Sequence, residues 1–220
     1  MKRKTLQLFI GLLFVCLFPV FAEGQSLAFL LKSIPQNIIP SLGKNYTSEE
    51  WVSFLEAYKE GSASSFNLSD FNVIVLNSEA IRIQVGSDVT HTLALVAESD
   101  VICLVTSVIS PPISVSFLRF FDTQWNSLGD EYSLPPLSLT DLISDKQTIP
   151  PHEYDFLSET VASIPISYQL EKQHSKWCLK MTLTPDGILP IETIERLQQY
   201  LTTDRALLFS FGRKKINRIN

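Results

Sequence analysis

The chain has 220 residues, 45% of them hydrophobic, and a formal net charge of −5. That length suits one good-sized domain or two small ones. The acidic balance speaks against nucleic acid, whose phosphates require a basic surface, and three cysteines are too few for a disulfide framework.

The chain opens on Lys2, Arg3 and Lys4, followed by an apolar stretch from Leu6 to Phe21 and a polar exit at Glu23-Gly24-Gln25-Ser26. This is the pattern of a secretory signal peptide over residues 1–22. Val20-Phe21-Ala22 fits cleavage before Glu23, and Ala22-Glu23-Gly24 fits cleavage before Gln25; both stay open. An apolar stretch of about sixteen residues is short against the roughly twenty of a membrane span, so an uncleaved anchor is the competing reading and no stable span is expected after cleavage. Phe14-Val15 is a poor approach to a lipid-anchor site at Cys16. Loss of the three leading cations takes the net charge from −5 to −8. The expected location is periplasmic or extracellular, with or without attachment to the envelope. Only Cys103 and Cys178 then remain, both in apolar runs that suit buried free thiols, although an oxidising compartment permits a bridge.

Ser26 can cap a short helix over Leu27 to Ser33. Thr47-Ser48-Glu49-Glu50 is a capping box, with Tyr46 and Trp51 at hydrophobic-staple positions. Trp51, Leu55 and Tyr58 recur at helical spacing, and the helix is placed from about Ser48 to Glu60. The period then changes to that of strands. Phe71 to Leu76 is rich in β-branched residues, and Ile81, Ile83 and Val85 alternate with Arg82 and Gln84. Leu93 and Leu95 continue the pattern, Val101 to Val108 reads as a central strand, and Ile113, Val115 and Phe117 alternate with serines. The breaks between them, such as Gly86-Ser87-Asp88 and Ser110-Pro111-Pro112, are too short for crossover helices, so the strands form an antiparallel meander.

Residues 122–159 are poor in pattern and hold four prolines, which reads as a packed loop or a linker. A hairpin follows, Ile164 to Glu171 with Lys176 to Thr184, around Gln173-His174-Ser175. Pro190 opens a helix along Ile191, Ile194, Leu197 and Leu201, and Ala206 to Phe211 is a last strand. Arg213-Lys214-Lys215 with Arg218 reads as a solvated basic terminus, or as a contact for anionic lipid or polysaccharide. The fold class is α+β: an antiparallel meander with helices packed on one face over residues 23–145, then a smaller hairpin, helix and strand over 146–220, within the same domain or a second one.

Ile34-Pro35, Ile38-Ile39-Pro40-Ser41-Leu42, the segment Trp51 to Tyr58, Val101-Ile102-Cys103-Leu104-Val105 and Ser116-Phe117 with Phe120-Phe121 leading to Trp125 together resemble an uncharacterised family of exported Bacteroidales proteins. The resemblance covers about half the chain and implies a bacterial envelope or extracellular setting, with no activity or catalytic residues to carry over. Such proteins often hold further cysteines after the central strand; Ser110-Pro111-Pro112-Ile113 stands there instead. In a bacterial setting Asn45-Tyr46-Thr47 and Asn67-Leu68-Ser69 match the N-glycosylation pattern by chance.

No constellation for chemistry stands out, and no catalytic, cofactor or metal residue is assigned. His91, His152 and His174 are far apart, with no paired spacing for a metal. No serine sits in a Gly-x-Ser-x-Gly elbow and no Gly-x-Gly-x-x-Gly cradle occurs. Asp130, Glu131, Asp141 and Asp145 could line a cleft, which keeps a carboxylate-dependent glycan hydrolase as the alternative. The favoured reading is a non-enzymatic module that binds a protein or an envelope polysaccharide. Its candidate binding residues are Phe120, Phe121 and Trp125, which with Phe117 form an aromatic group leaving the sheet.

Overall fold

The computed structural model describes residues 26–40, 47, 50, 65–68, 71–77, 79–98, 100–143, 149–201 and 206–219. The expected leader and the body of the helix expected at Ser48 to Glu60, with Trp51, Leu55 and Tyr58, lie outside the described residues. The capping box itself is formed. The Thr47 amide donates to the Glu50 carboxylate at 2.7 Å, and the Glu50 amide donates to the Thr47 hydroxyl at 3.3 Å. The amide and then the hydroxyl of Thr47 hold the Glu50 carboxyl below the usual range.

Helix α1 (Leu27–Leu31) starts at Ser26, whose hydroxyl accepts from the Phe29 amide at 3.3 Å. Six strands then follow in sequence order as one antiparallel sheet: β1 (Ser65–Leu68), β2 (Phe71–Asn77), β3 (Ala80–Val85), β4 (Val89–Val96), β5 (Val101–Ser110) and β6 (Ile113–Phe121). The expected meander is present, extended by β1 at its edge. Two-residue periodicity divides its side chains. Ile81, Ile83, Leu93, Leu95, Ile102, Leu104 and Phe121 meet Leu27, Leu30, Leu31, Ile38 and Ile39 on the α1 side. Ala80, Ala94, Val96, Val101, Cys103, Val105 and Phe120 point the other way.

That second face receives the C-terminal part of the chain. Helix α2 (Pro151–Ser163) leads into β7 (Ile166–Gln173) and β8 (Lys176–Leu183); α3 (Ile191–Gln198) leads into β9 (Ala206–Phe211) and β10 (Ile216–Ile219). The four strands form an antiparallel sheet in the order β10-β9-β8-β7. Leu170, Leu179, Met181, Leu183, Leu207, Phe209 and Ile216 join Leu157 and Val161 of α2 and Leu197 of α3 in one apolar cluster with the meander. Residues from both parts of the chain therefore bury their apolar surface against each other. Phe120 stands between the sheets, edge-on to Tyr132 at 5.1 Å and to Phe211 at 6.2 Å. The Tyr132 hydroxyl reaches across to donate to the Gly212 carbonyl at 2.7 Å.

Two features differ from the sequence reading. The pattern-poor stretch contains the start of α2, with Pro151 in its first turn. Its buried contacts are confined to Leu157, Thr160 and Val161, while Tyr154 and Phe156 are exposed. Rings on the outer face blur the apolar stripe, so the prolines read as breakers rather than as a helix start. The basic cluster Arg213-Lys214-Lys215 is likewise the turn of the β9–β10 hairpin rather than a loose terminus, and Arg213 pairs with Glu98 at 2.7 Å. No helix among the described residues is long and apolar enough to cross a membrane.

Candidate functional site

The aromatic group expected to present a binding surface is mostly interior. Phe120, Phe121 and Trp125 are 7%, 3% and 5% exposed. Phe120 and Phe121 are consecutive in a strand and so enter opposite cores. Trp125 adopts a left-handed φ of 66° in the loop after β6. The Asp122 carboxylate holds that loop by accepting from the Gln124 and Asn126 amides at 2.9 and 2.8 Å. The indole packs beside Phe121, centroids 5.8 Å apart, and donates to the Leu30 carbonyl at 2.9 Å, fastening α1 to the sheet. These three rings are packing residues, and only Phe117, 57% exposed, faces solvent.

Phe117 belongs to a different surface, the far end of the β5–β6 hairpin. From Val101 to Leu118 the chain carries no charged residue. The first part of this run is buried between the two cores, but its continuation emerges. Ile109 is 43% exposed and Ile113 is 37% exposed, and Pro111 and Pro112 close the turn between them through a cis peptide. Strand alternation places Ile113, Val115 and Phe117 on the α1 side of the sheet, and Ile109 on the other side. Ile188, 37% exposed, follows Gly187, which lies against Pro112: an added Cβ there would fall 2.2 Å from the proline Cγ. On the α1 side the row Ile113, Val115 and Phe117 carries no charge until Arg119, while Ile109 is exposed on the opposite face.

This end is also well supported. The Ile109 amide donates to the Asp88 carbonyl at 2.7 Å, and the Ser107 and Ser116 hydroxyls are 2.9 Å apart. The Thr184 hydroxyl donates to the Ser114 carbonyl at 3.1 Å, linking β6 to the segment after β8. Sequence reasoning treated Ser110-Pro111-Pro112 as a break between strands. The signal that could have found the site was the length of the uncharged run, eighteen residues, longer than one buried crossing of the sheet requires.

Three carboxylates, Asp141, Glu153 and Asp122, have their pKa values held low by their partners. Asp141 accepts from the amide and hydroxyl of Ser138 and from Arg218. Burial alone would raise its pKa, yet these bonds and the cation hold it low. At Glu153 the Arg196 hydrogen bond lowers the pKa, and at Asp122 the bonds from Asn126 and Gln124 outweigh burial. A general acid requires the opposite shift. Asp130 and Glu131 are exposed in a short 3-10 turn, and Asp145 lies outside the described residues. His91 contacts the Thr106 hydroxyl at 3.0 Å, and burial followed by the Arg119 charge lowers its pKa. His152 is exposed, 4.0 Å from Glu153, and His174 sits in the β7–β8 turn with φ of 48°. Both remaining cysteines are free and buried, and burial raises the pKa of each thiol. Among the described residues no three His, Cys, Asp or Glu side chains gather to hold a metal ion. A small pocket of about 190 Å³ lies between Pro135, Pro136 and Leu137 and the β9 side chains Leu207 and Phe209. The Arg218–Asp141 ion pair, 2.5 Å, occupies its polar wall.

Comparison with known proteins bears on this arrangement. A family model described as "Protein of unknown function (DUF3256)" matches residues 20–215. The chain belongs to this family. A solved structure of a domain of an uncharacterized protein from Porphyromonas gingivalis W83 has the same fold, with a TM-score of 0.68 at 19% identity. The match covers 88% of this chain and 97% of that one. The resemblance to an uncharacterised Bacteroidales family, drawn from core patterns such as Val101 to Val105, is thus upheld. No curated protein matches the chain.

Proposed function

We propose that this chain is an exported, non-catalytic binding module that docks a protein through the uncharged end of the β5–β6 hairpin. The observation that carries the reading is the exposure of Pro111, Pro112, Ile113 and Phe117, with Ile113 and Phe117 on one face of the sheet. Apolar surface left in water gains roughly 25 cal/mol per Å² when a partner covers it, and contiguous patches of this kind mark contact sites. An envelope polysaccharide is the weaker occupant. Sugar stacking uses exposed aromatic faces with hydrogen-bonding groups around them, and this end offers a single ring among aliphatic side chains. Export rests on the leader pattern of residues 1–22.

The test places a photocrosslinking amino acid at Phe117 in cells that produce the chain, with Ile113→Glu as the control. Ile113 is the exposed first residue of β6, so the charge is tolerated by the fold and the melting temperature holds. The expected result is one discrete protein adduct from the envelope fraction that disappears in the control. Crosslinking that is absent, or that survives Ile113→Glu unchanged, refutes the docking surface.

A further inference from the structure

Resting on that docking surface, we infer that its partner lays an amphipathic helix across strands β3 to β6, with an Asp or Glu on the flank that meets Arg119. Register sets one valine from each strand in a single transverse row on the α1 side: Val85, Val89, Val108 and Val115. All four are half-buried. Val85 packs at the margin of the cluster that α1 covers, so the apolar face continues past the helix the chain itself supplies. Phe117 stands one step nearer α1, across from Thr106 and His91, whose hydroxyl and ring are 3.0 Å apart. Arg119 follows Phe117 on the same face and is exposed. Its guanidinium donates to the Ile38 carbonyl at 2.6 Å and lies over the Phe121 ring, which fixes its position. No carboxylate pairs with it among the described residues.

A polypeptide can join a sheet at its edge or on its face. The edge is taken. Strand β6 ends the sheet, but its Ser114 and Phe120 carbonyls accept from the Thr184 hydroxyl at 3.1 Å and the Leu128 amide at 3.0 Å. Ser116 between them is 6% exposed, which leaves no backbone row open to an added strand. The face remains. Four strands about 4.8 Å apart make the valine row about 14 Å long. About nine helical residues span that length, and a helical turn of about 5.4 Å brings an apolar side chain down once per strand. Arg119 sets the charge on the flank toward α1, while Asp88, exposed in the β3–β4 turn, lies beyond Val89 on the other side of the row. A carboxylate facing α1 meets a cation already held in place, which adds specificity and speeds encounter at low salt.

The test pans a phage-displayed library of random peptides, about sixteen residues long, against the immobilised full chain at low salt. Enriched peptides are titrated against the unchanged chain and against Ile113→Glu, Val89→Thr and Arg119→Gln, each with its melting temperature. They are expected to carry Leu, Ile, Phe or Trp at every third or fourth position, with Asp or Glu on one flank. A proline placed mid-peptide weakens binding at least about tenfold, because it breaks the helix. Ile113→Glu abolishes binding, and Val89→Thr, which keeps the β-branched shape, weakens it about threefold. Arg119→Gln weakens it about fivefold at low salt and by much less at 1 M, where charges are screened beyond about 3 Å. Because Arg119 also holds Ile38, the salt dependence of the unchanged chain is read beside it and should fall in the same direction. Peptides that need Ile113 but tolerate the proline, ignore Val89→Thr or carry no acid overturn this inference and leave the docking surface standing. A dimer of the chain that Ile113→Glu dissociates puts a second copy on the face and also overturns it. Failure to enrich any peptide, enrichment indifferent to Ile113→Glu, or binding of phosphatidylethanolamine–phosphatidylglycerol vesicles through Ile113 overturns both.

Discussion

Trp125 separates a packing role from a binding role most cleanly. Its indole is 5% exposed, lies 5.8 Å from the Phe121 ring and donates to the Leu30 carbonyl at 2.9 Å. The hydrogen bond is the smaller contribution. Leu30 O also accepts from the amide and the hydroxyl of Ser33, each at 3.1 Å, so losing the indole leaves that carbonyl satisfied. One such bond is worth about 1 kcal/mol net. The ring is the larger contribution, because truncating a buried Trp to Ala costs about 3–5 kcal/mol. Trp125→Phe keeps an aromatic ring against Phe121 and should cost about 1–2 kcal/mol. Urea unfolding, with a slope near 2 kcal/mol/M, should lower the midpoint by about 2 M for Trp125→Ala and by under about 1 M for Trp125→Phe. The assay must also show that Trp125→Phe retains crosslinking at Phe117. A midpoint unchanged in Trp125→Ala, together with lost crosslinking, would show that the ring serves a partner and not the core.

Further expectations follow from the same geometry. Gly187→Ala should destabilise by more than about 2 kcal/mol, because φ is +79° and the new methyl would overlap Pro112. Gly86→Ala, at φ +60° with open space around it, should cost about 1 kcal/mol or less in the same thermal melts. Equal effects would remove the argument for contact at Pro112. Asp141 has its pKa held below the usual 3.8, so its contribution is present above that value and is lost as pH falls through the lower folded value. Asp141→Asn should flatten the acid limb of a stability–pH curve, and an unaltered limb would refute it. His91, lowered from 6.5 by burial and then by Arg119, favours the neutral ring in the folded state. Stability should therefore decline as pH drops below 6.5, and His91→Gln should remove that slope. Cys103 and Cys178 should each take up alkylating reagent without prior reduction, but only after unfolding. Rapid native labelling would contradict their burial.

The meander was legible because its cause is local. Alternation at Ile81, Ile83 and Val85 and the charge-free stretch from Val101 onward dictate extended chain, and turns such as Gly86-Ser87-Asp88 leave room only for antiparallel return. The hairpin around His174 and the strand Ala206 to Phe211 were readable for the same reason. Helix α2 was not, because Tyr154 and Phe156 on its outer face imitate core residues. The site was half legible. Aromatic side chains near the end of β6 drew notice, yet Phe120, Phe121 and Trp125 turned inward while Ile109, Ile113 and Phe117 were left outside.

Amino-acid order alone determined the strand periodicity, the capping at Thr47 and Glu50, the acidic balance and the family resemblance, since each depends on neighbours in the chain. Tertiary structure decided which end of the uncharged hairpin was covered. Hydrophobicity states only that a side chain prefers to leave water. Whether it does depends on the neighbours the fold brings: Thr184 reaches Ser114 and Gly187 reaches Pro112, yet Ile113 and Phe117 stay exposed.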